Sequence, residues 1–252
     1  MSRVSAQGSV AGTKSSHVSK DPARISGMFD AIALRYDTLN HVLSAGLDVH
    51  WRRRLIRALE LADGDRVLDV CTGTADLAMG AARWRRARVR QVVGVDFSGA
   101  MLQIGQGKIA RGGLAPRVQL VRGDATRLPV ATASCDAAMI AFGIRNVVDT
   151  AAALGELHRA LRPHGRLAIL EFGLPADRRL GALYRSYFRH ILPRIGKLVS
   201  RHSDAYTYLP ASVSEFPSGE AFADHLRAAG FSSVQHVSMA MGAVYLYLAR
   251  RP

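Results

Sequence analysis

VLDVCTGTADLA, residues 67–78, is the stretch on which the fold turns: a strand-like apolar run breaks at a glycine-bearing turn and passes at once into a helical pattern. Such a turn lies at the carboxyl end of a strand. Open α/β sheets take their ligands at that edge, because a small residue lets a nucleotide approach the backbone and the following helix offers free N–H donors. Outward from it, the runs RVLDVC (66–71), QVVGVD (91–96), VQLVRGD (118–124), CDAAMIAF (135–142) and GRLAILEF (165–172) read as strands. Between them, residues 76–86, 100–111 and 149–161 carry apolar side chains every three or four positions, as surface helices do. The alternation predicts an α/β chain with a parallel sheet covered by helices on both faces. A helix over 222–229, stopped by Gly230, and strands at VQHV (234–237) and AVYLYLA (243–249) bring the expected sheet to seven mostly parallel strands.

The remaining segments define the domain organisation. Residues 1–22 form a Ser-, Gly- and Ala-rich, mildly basic stretch without apolar periodicity, expected to be a disordered tail because it cannot bury enough surface to offset its ordering entropy. One catalytic domain, 23–252, follows, with N-terminal helices over 25–61 and a helical cap inserted at about 176–218. No run approaches the roughly 20 apolar residues of a membrane span, and none has signal-peptide form, so a cytoplasmic protein is expected. Cys71 and Cys135 each sit in an apolar strand run and read as small core residues; no metal site or disulfide framework is expected. The net charge of +14 attracts polyanions, either nucleic acid or an anionic lipid surface. An Arg-rich coding bias accounts equally for such an excess, since only four of the 34 basic residues are Lys.

Three strand ends converge on one rim. Asp69, Gly73 and Thr74 belong to the first: Asp69 is suited to an amino group, Gly73 to close approach and Thr74 to hydrogen bonding. Asp96 ends the second strand, where a carboxylate can accept both hydroxyl protons of a ribose, and Asp124 with Ala125 ends the third. Each acid taken singly is equally a helix cap. A dinucleotide pyrophosphate prefers G-x-G-x-x-G at the first turn, whereas residues 73–78, GTADLA, offer one glycine and an acid that would repel phosphate. A nucleoside bearing a sulfonium and an amino acid suits such a turn better, which favours S-adenosylmethionine over NAD.

RYDTLNHVLSAGLDVHW (35–51), VLDVCTGTADLA, GVDFSGAML (94–102), AFGIRNV (141–147), LRPHGRLAILEF (161–172), HILPRIGKLVS (190–200) and DAYTYLPASVSEFP (204–217) together resemble the ubiquinone/menaquinone C-methyltransferase family. The resemblance implies a class I S-adenosylmethionine-dependent methyltransferase of Rossmann-like fold that methylates demethylmenaquinol, or the prenylated benzoquinol of ubiquinone synthesis, in its reduced form. It places Thr74, Asp96, Asp124 and Ala125 at cofactor positions. Ala141 stands where many members have Ser, and the glycine-rich turn is thinned to Thr72 and Ala75, a variation similar to some menaquinone-pathway members.

A quinol is the expected acceptor because only the electron-rich hydroquinone pushes enough density onto the ring carbon to attack a sulfonium methyl. Arg145 and Asn146, just past the fourth strand, are expected to face that ring as catalytic residues, with Arg145 stabilising a phenolate or polarising a water. Asp37, His50 and Asp204 are candidate bases, each equally a cap, a surface histidine or a loop carboxylate. Tyr36, Asn40, Trp51, Tyr206 and Tyr208 are expected to shape the substrate pocket. The apolar stripe of residues 176–200, interleaved with Arg, suits the inner face of an anionic membrane, or equally a cap helix packed on the core. A homodimer is an open alternative to a monomer.

Two rivals stand beside this reading. An RNA methyltransferase fits the charge, but no [DN]-P-P-[FY] turn follows the fourth strand and no aromatic residues sit on basic strands, so no specific nucleic-acid partner is expected. A non-catalytic partner in a quinone-synthesis complex fits the lost Ser and glycines, but Asp69, Asp96, Asp124, Arg145 and Asn146 all remain.

Overall fold

The computed structural model describes residues 21–175 and 204–252. Seven strands form one sheet in the order β3-β2-β1-β4-β5-β7-β6: β1 (Arg66–Val70), β2 (Gln91–Asp96), β3 (Val118–Arg122), β4 (Cys135–Ala141), β5 (Leu161–Phe172), β6 (Ser232–Met239) and β7 (Val244–Arg250). The pairs among β1 to β5 are parallel, while β7 runs antiparallel to both β5 and β6. From β1 the chain moves outward through β2 and β3, then returns to the other side of β1 as β4, so the topological switch point lies between β1 and β4.

Strand periodicity divides the core into two layers. Val67, Val92, Met139 and Leu170 point to one face, covered by α2 (Leu47–Ala58) and α3 (Asp76–Ala82). Leu68, Val95, Ile140 and Ile169 point to the other, covered by α5 (Thr150–Ala160) and, later in the chain, a helix over Glu220–Ala228 that buries Phe222 and Leu226. Both faces of the central strands are therefore apolar, as the sequence runs require.

The expected elements recur with shifted ends. The segment 25–61 is two helices, α1 (Pro22–Leu43) and α2, separated by a turn in which Gly46 adopts φ +78°. Asp21 caps α1 by accepting from the N–H groups of Ala23 and Arg24, with Pro22 in the first turn, so the helix begins just inside the segment expected to be tail. The rest of that expected tail, residues 1–20, lies outside the described residues. Helix α3 stops at Ala82 rather than near residue 86, because the chain turns to bury Ala87 and Val89. β5 starts at Leu161 rather than Gly165: its pairing with β4 slips between Cys135 and Ala137, and Pro163 with a left-handed His164 fills the irregularity. Helix α4 spans Gly99–Arg111, and α6 (Asp204–Glu215) and α7 (Glu220–Ala228) precede β6. Residues 176–203 of the expected cap lie outside the described residues. Among the described residues no helix is long and apolar enough to cross a membrane.

Asp69 is the buried polar group at the centre of the sheet. Its carboxylate accepts the Thr72 hydroxyl at 2.6 Å and the Ala78 N–H, tying the turn after β1 to the start of α3. Burial raises its pKa to about 7. Between about pH 4 and pH 7 the folded chain therefore keeps a proton that the unfolded chain has released, and stability falls as pH rises through that window. Asp69→Asn, which keeps the acceptor oxygen but cannot ionise, should flatten that slope by up to about 1.4 kcal/mol per pH unit. Denaturant midpoints from pH 4.5 to 7.5 read it directly, and equal slopes in the two proteins would refute the assignment.

Candidate functional site

A cavity of about 470 Å³ opens at the carboxyl ends of β1 to β4, beneath α1. Its volume is in the range of roughly 300–1,000 Å³ usual for small-molecule sites. Gly73 after β1, Asp96 at the end of β2, Asp124 and Ala125 after β3, Ala141 at the end of β4, and Asn146 line it, so the expected rim is one wall. Tyr36 closes the cavity from α1.

The wall is stitched by side chains that satisfy backbone donors. The Asp96 carboxylate accepts from the Gly73 N–H at 2.8 Å and the Ser98 N–H at 2.9 Å, bridging the turns after β1 and β2. Burial raises its pKa. Gly73 sits at φ +55°, a left-handed conformation that disfavours residues with a Cβ. Gly143 is required for a different reason: a Cβ there would stand 2.3 Å from that of Cys71. Cys71, Ala75 and Phe142 also have positive φ, so strained backbone gathers where the strands meet the cavity.

Helix α1 is latched over this wall by polar contacts. Asp30 accepts the Ser98 hydroxyl at 2.5 Å, and Asp37 accepts the Thr74 hydroxyl at 2.5 Å while pairing with Lys108 at 2.7 Å. Lys108 also bonds Asp76, so the acid at the start of α3 is neutralised by α4. Two expected cofactor contacts are thereby placed elsewhere: Thr74 is buried with its hydroxyl on Asp37, and Asp69 lies behind the wall as the brace of the turn.

The acceptor end departs further from the expectation that Arg145 and Asn146 both face the ring. They lie on a short 3-10 turn (Ile144–Asn146) after β4, and Asn146 does line the cavity. Arg145 does not. Its guanidinium donates to Glu171 on β5 and to the Phe142 carbonyl, each at 2.7 Å, and stacks over the Phe172 ring at 5.4 Å. The physical cause is Glu171, wholly buried in the sheet, whose carboxylate also accepts the Arg145 backbone N–H and requires a cation beside it. Arg145 is thus the inner support of the turn that presents Asn146. Tyr208 on α6 donates to the Asn146 side-chain Oδ1 at 3.1 Å, a bond that leaves the amide N–H groups free of it.

The other expected residues divide. Tyr36 lines the cavity, its phenol raised by burial against a hydrogen bond from Asn40, which stands behind it. Trp51 is buried in the core and packs on Phe142 at 6.2 Å, behind the wall. Tyr206 and Asp204 fall at the start of α6, with their side chains outside the described residues. His50 is exposed on α2, and Asp37 is committed to Thr74 and Lys108. Sequence reasoning did not single out Phe29, Phe97 or Met101, which supply apolar wall. Phe97 carried a signal, directly following the strand-end Asp96; Phe29 carried none, because only packing reveals which face of α1 turns inward.

The cavity fits a cationic nucleoside. Asp96, Asp124 and Asp149 line it, and no Lys or Arg does among the described residues, so a sulfonium or ammonium is attracted and a pyrophosphate repelled. Apolar Phe97, Met101 and Ala125 can sandwich a purine beside the Asp96 carboxylate.

Comparison with known proteins agrees with this geometry. The profile of the ubiE/COQ5 methyltransferase family matches residues 17–251. The chain is 43% identical over 228 residues to the ubiquinone/menaquinone biosynthesis C-methyltransferase UbiE of Geotalea uraniireducens, covering 90% of this chain and 96% of that one. It is 47% identical over 223 residues to the UbiE of Syntrophotalea carbinolica (87% and 91% covered) and 42% identical over 237 residues to the demethylmenaquinone methyltransferase of Mycobacterium sp. strain KMS (92% and 96%). Among solved structures, a SAM-dependent methyltransferase from Aquifex aeolicus superposes with a TM-score of 0.59 at 18% identity, covering 92% and 99% of the two chains. The [4+2]-cyclase SpnF superposes at 0.64 with 18% identity, covering 90% and 95%; the shared fold thus hosts more than one chemistry. On the family profile and the identity to these relatives, the chain belongs to the ubiE/COQ5 methyltransferase family.

Proposed function

We propose that this chain transfers a methyl group from S-adenosylmethionine to a ring carbon of a prenylated quinol, demethylmenaquinol or the corresponding benzoquinol, at the inner face of a membrane. The observation that carries the reading is the acid-lined cavity at the switch point with one neutral polar amide, Asn146, on its wall. The relatives named for this chemistry, which match over nearly the whole chain, support it.

Bound S-adenosylmethionine supplies an electrophilic methyl on a cationic sulfur. The chain's own residues then have distinct tasks. Asp96 accepts ribose hydroxyls, and Asp124 with Asp149 keeps the cavity potential negative for the sulfonium. The acceptor would take that methyl at its ring carbon with the bonding pair left on sulfur, and would release its ring proton to water. Asn146, held by Tyr208 from outside and by the Arg145–Glu171 pair from within, would donate its amide N–H to a quinol oxygen and so restrict the orientation of the ring. Arg145 supports that turn and does not take the proton, since its guanidinium is already shared between Glu171 and the Phe142 carbonyl.

Anaerobic incubation of the purified protein with methyl-labelled S-adenosylmethionine and each reduced acceptor should move label onto the ring; label remaining on the cofactor with both acceptors would refute the reading. Asp96→Asn should weaken cofactor binding by about tenfold to a hundredfold by calorimetry, since an ionised acceptor is replaced by a neutral amide. Tyr208→Phe keeps the ring and removes the hydroxyl, so kcat should fall by about tenfold with cofactor Kd unchanged. A rise in cofactor Kd that equals the loss in rate would assign Tyr208 to the cofactor instead.

A further inference from the structure

The hairpin of α1 and α2 has two unlike sides. Its inner side builds the site: α1 gives Phe29 and Tyr36 to the cavity, and α2 buries Asp48, Trp51, Leu55 and Ile56. Its outer side is left to solvent among the described residues. On α2, Val49, His50, Arg53, Arg54 and Arg57 recur at spacings of three and four, so they share one stripe, and all are exposed. Arg53, Arg54 and Arg57 have no ionic or hydrogen-bonding side-chain partner among the described residues, and the stripe contains no acid. Large aliphatic residues are exposed on the same two helices: Leu34 is 91% exposed, Val42 and Leu47 are each 47% exposed, and Val49 is 39% exposed.

Exposed aliphatic side chains and unpaired arginines, carried by the cavity-roofing α1 and the helix that follows it, make these two helices amphipathic in the interfacial manner. Charge decides what can cover them. The same face of a second copy would bring the same arginines and be repelled. A nucleic acid would satisfy the charge but leave Leu34, Val42 and Leu47 without a partner, and neither helix offers an exposed Phe, Tyr or Trp for base stacking.

We propose that the outer face of the α1–α2 hairpin docks the protein on an anionic lipid surface, with the arginines at the headgroups and Leu34, Val42, Leu47 and Val49 at the acyl boundary. The inference rests on the prenylated acceptor proposed above, whose tail is held in such a surface. Docking through α1 brings the roof of the cavity next to the layer from which the quinol ring enters.

Flotation of the full chain with vesicles tests this. Phosphatidylcholine vesicles containing phosphatidylglycerol should carry the protein up, pure phosphatidylcholine should not, and salt should weaken the binding. Combining Arg53→Gln, Arg54→Gln and Arg57→Gln should lower vesicle affinity by on the order of a hundredfold. Leu34→Asp should weaken it as well, while both variants keep wild-type cofactor affinity and wild-type turnover of a short-chain, water-soluble quinol. Vesicle affinity unchanged in both variants would overturn the proposal. So would failure of the wild type to bind anionic vesicles, or binding only to an RNA oligonucleotide. Residue-dependent vesicle binding without quinol methylation would sink the function proposed above while leaving the docking surface standing, and methylation without vesicle binding would do the reverse.

Discussion

The Asp96 carboxylate is the contact on which the site depends. A parallel sheet ends its strands with backbone N–H groups that lack a ladder partner, and these orphans lie where a ligand must enter. Asp96 takes the N–H groups of Gly73 and Ser98 with separate oxygens, so one side chain closes the turn after β1 and the turn after β2 together. The same carboxylate borders the cavity. Desolvation opposes its charge, and the donated N–H bonds offset that cost.

A second buried charge organises the opposite end. Glu171 lies wholly inside the sheet and would be prohibitively costly unpaired, so the chain supplies Arg145 from the neighbouring turn. The pair spends the guanidinium that sequence reasoning assigned to the acceptor and makes it a scaffold. Asn146, one residue on, keeps its place on the cavity wall, and Tyr208 holds its amide oxygen from α6. Two residues adjacent in sequence thus differ in role for an electrostatic reason that originates 26 positions downstream.

Helix α1 joins the two ends. It contributes apolar wall through Phe29, is held to the cofactor turns through Asp30 and Asp37, and leaves Leu34 and Val42 outward. Its polar latches reach the same residues, Ser98 and Thr74, that border the cofactor turns, so the roof and the wall form one hydrogen-bonded unit. The position of Lys108 explains why an acid at the start of α3 is tolerated beside them: Asp76 and Asp37 share its ammonium.

The positions and kind of the strands were legible in residues 66–172 because short apolar runs and strand-end Gly and Asp are local signals: they depend on a residue and its near neighbours. The rim residues Gly73, Asp96, Asp124 and Ala125 were legible for the same reason, since parallel strands place their carboxyl ends together whatever lies around them, while Ala141 was marked by the family resemblance. Tertiary structure alone decided which polar groups at that rim remain available. Thr74 is claimed by Asp37 across 37 positions and Arg145 by Glu171, while Asp69 is drawn into the core, and no local pattern encodes such pairings. What the sequence by itself determined was where the cavity opens; burial, which makes charges find partners at short range, decided which side chains are left to line it.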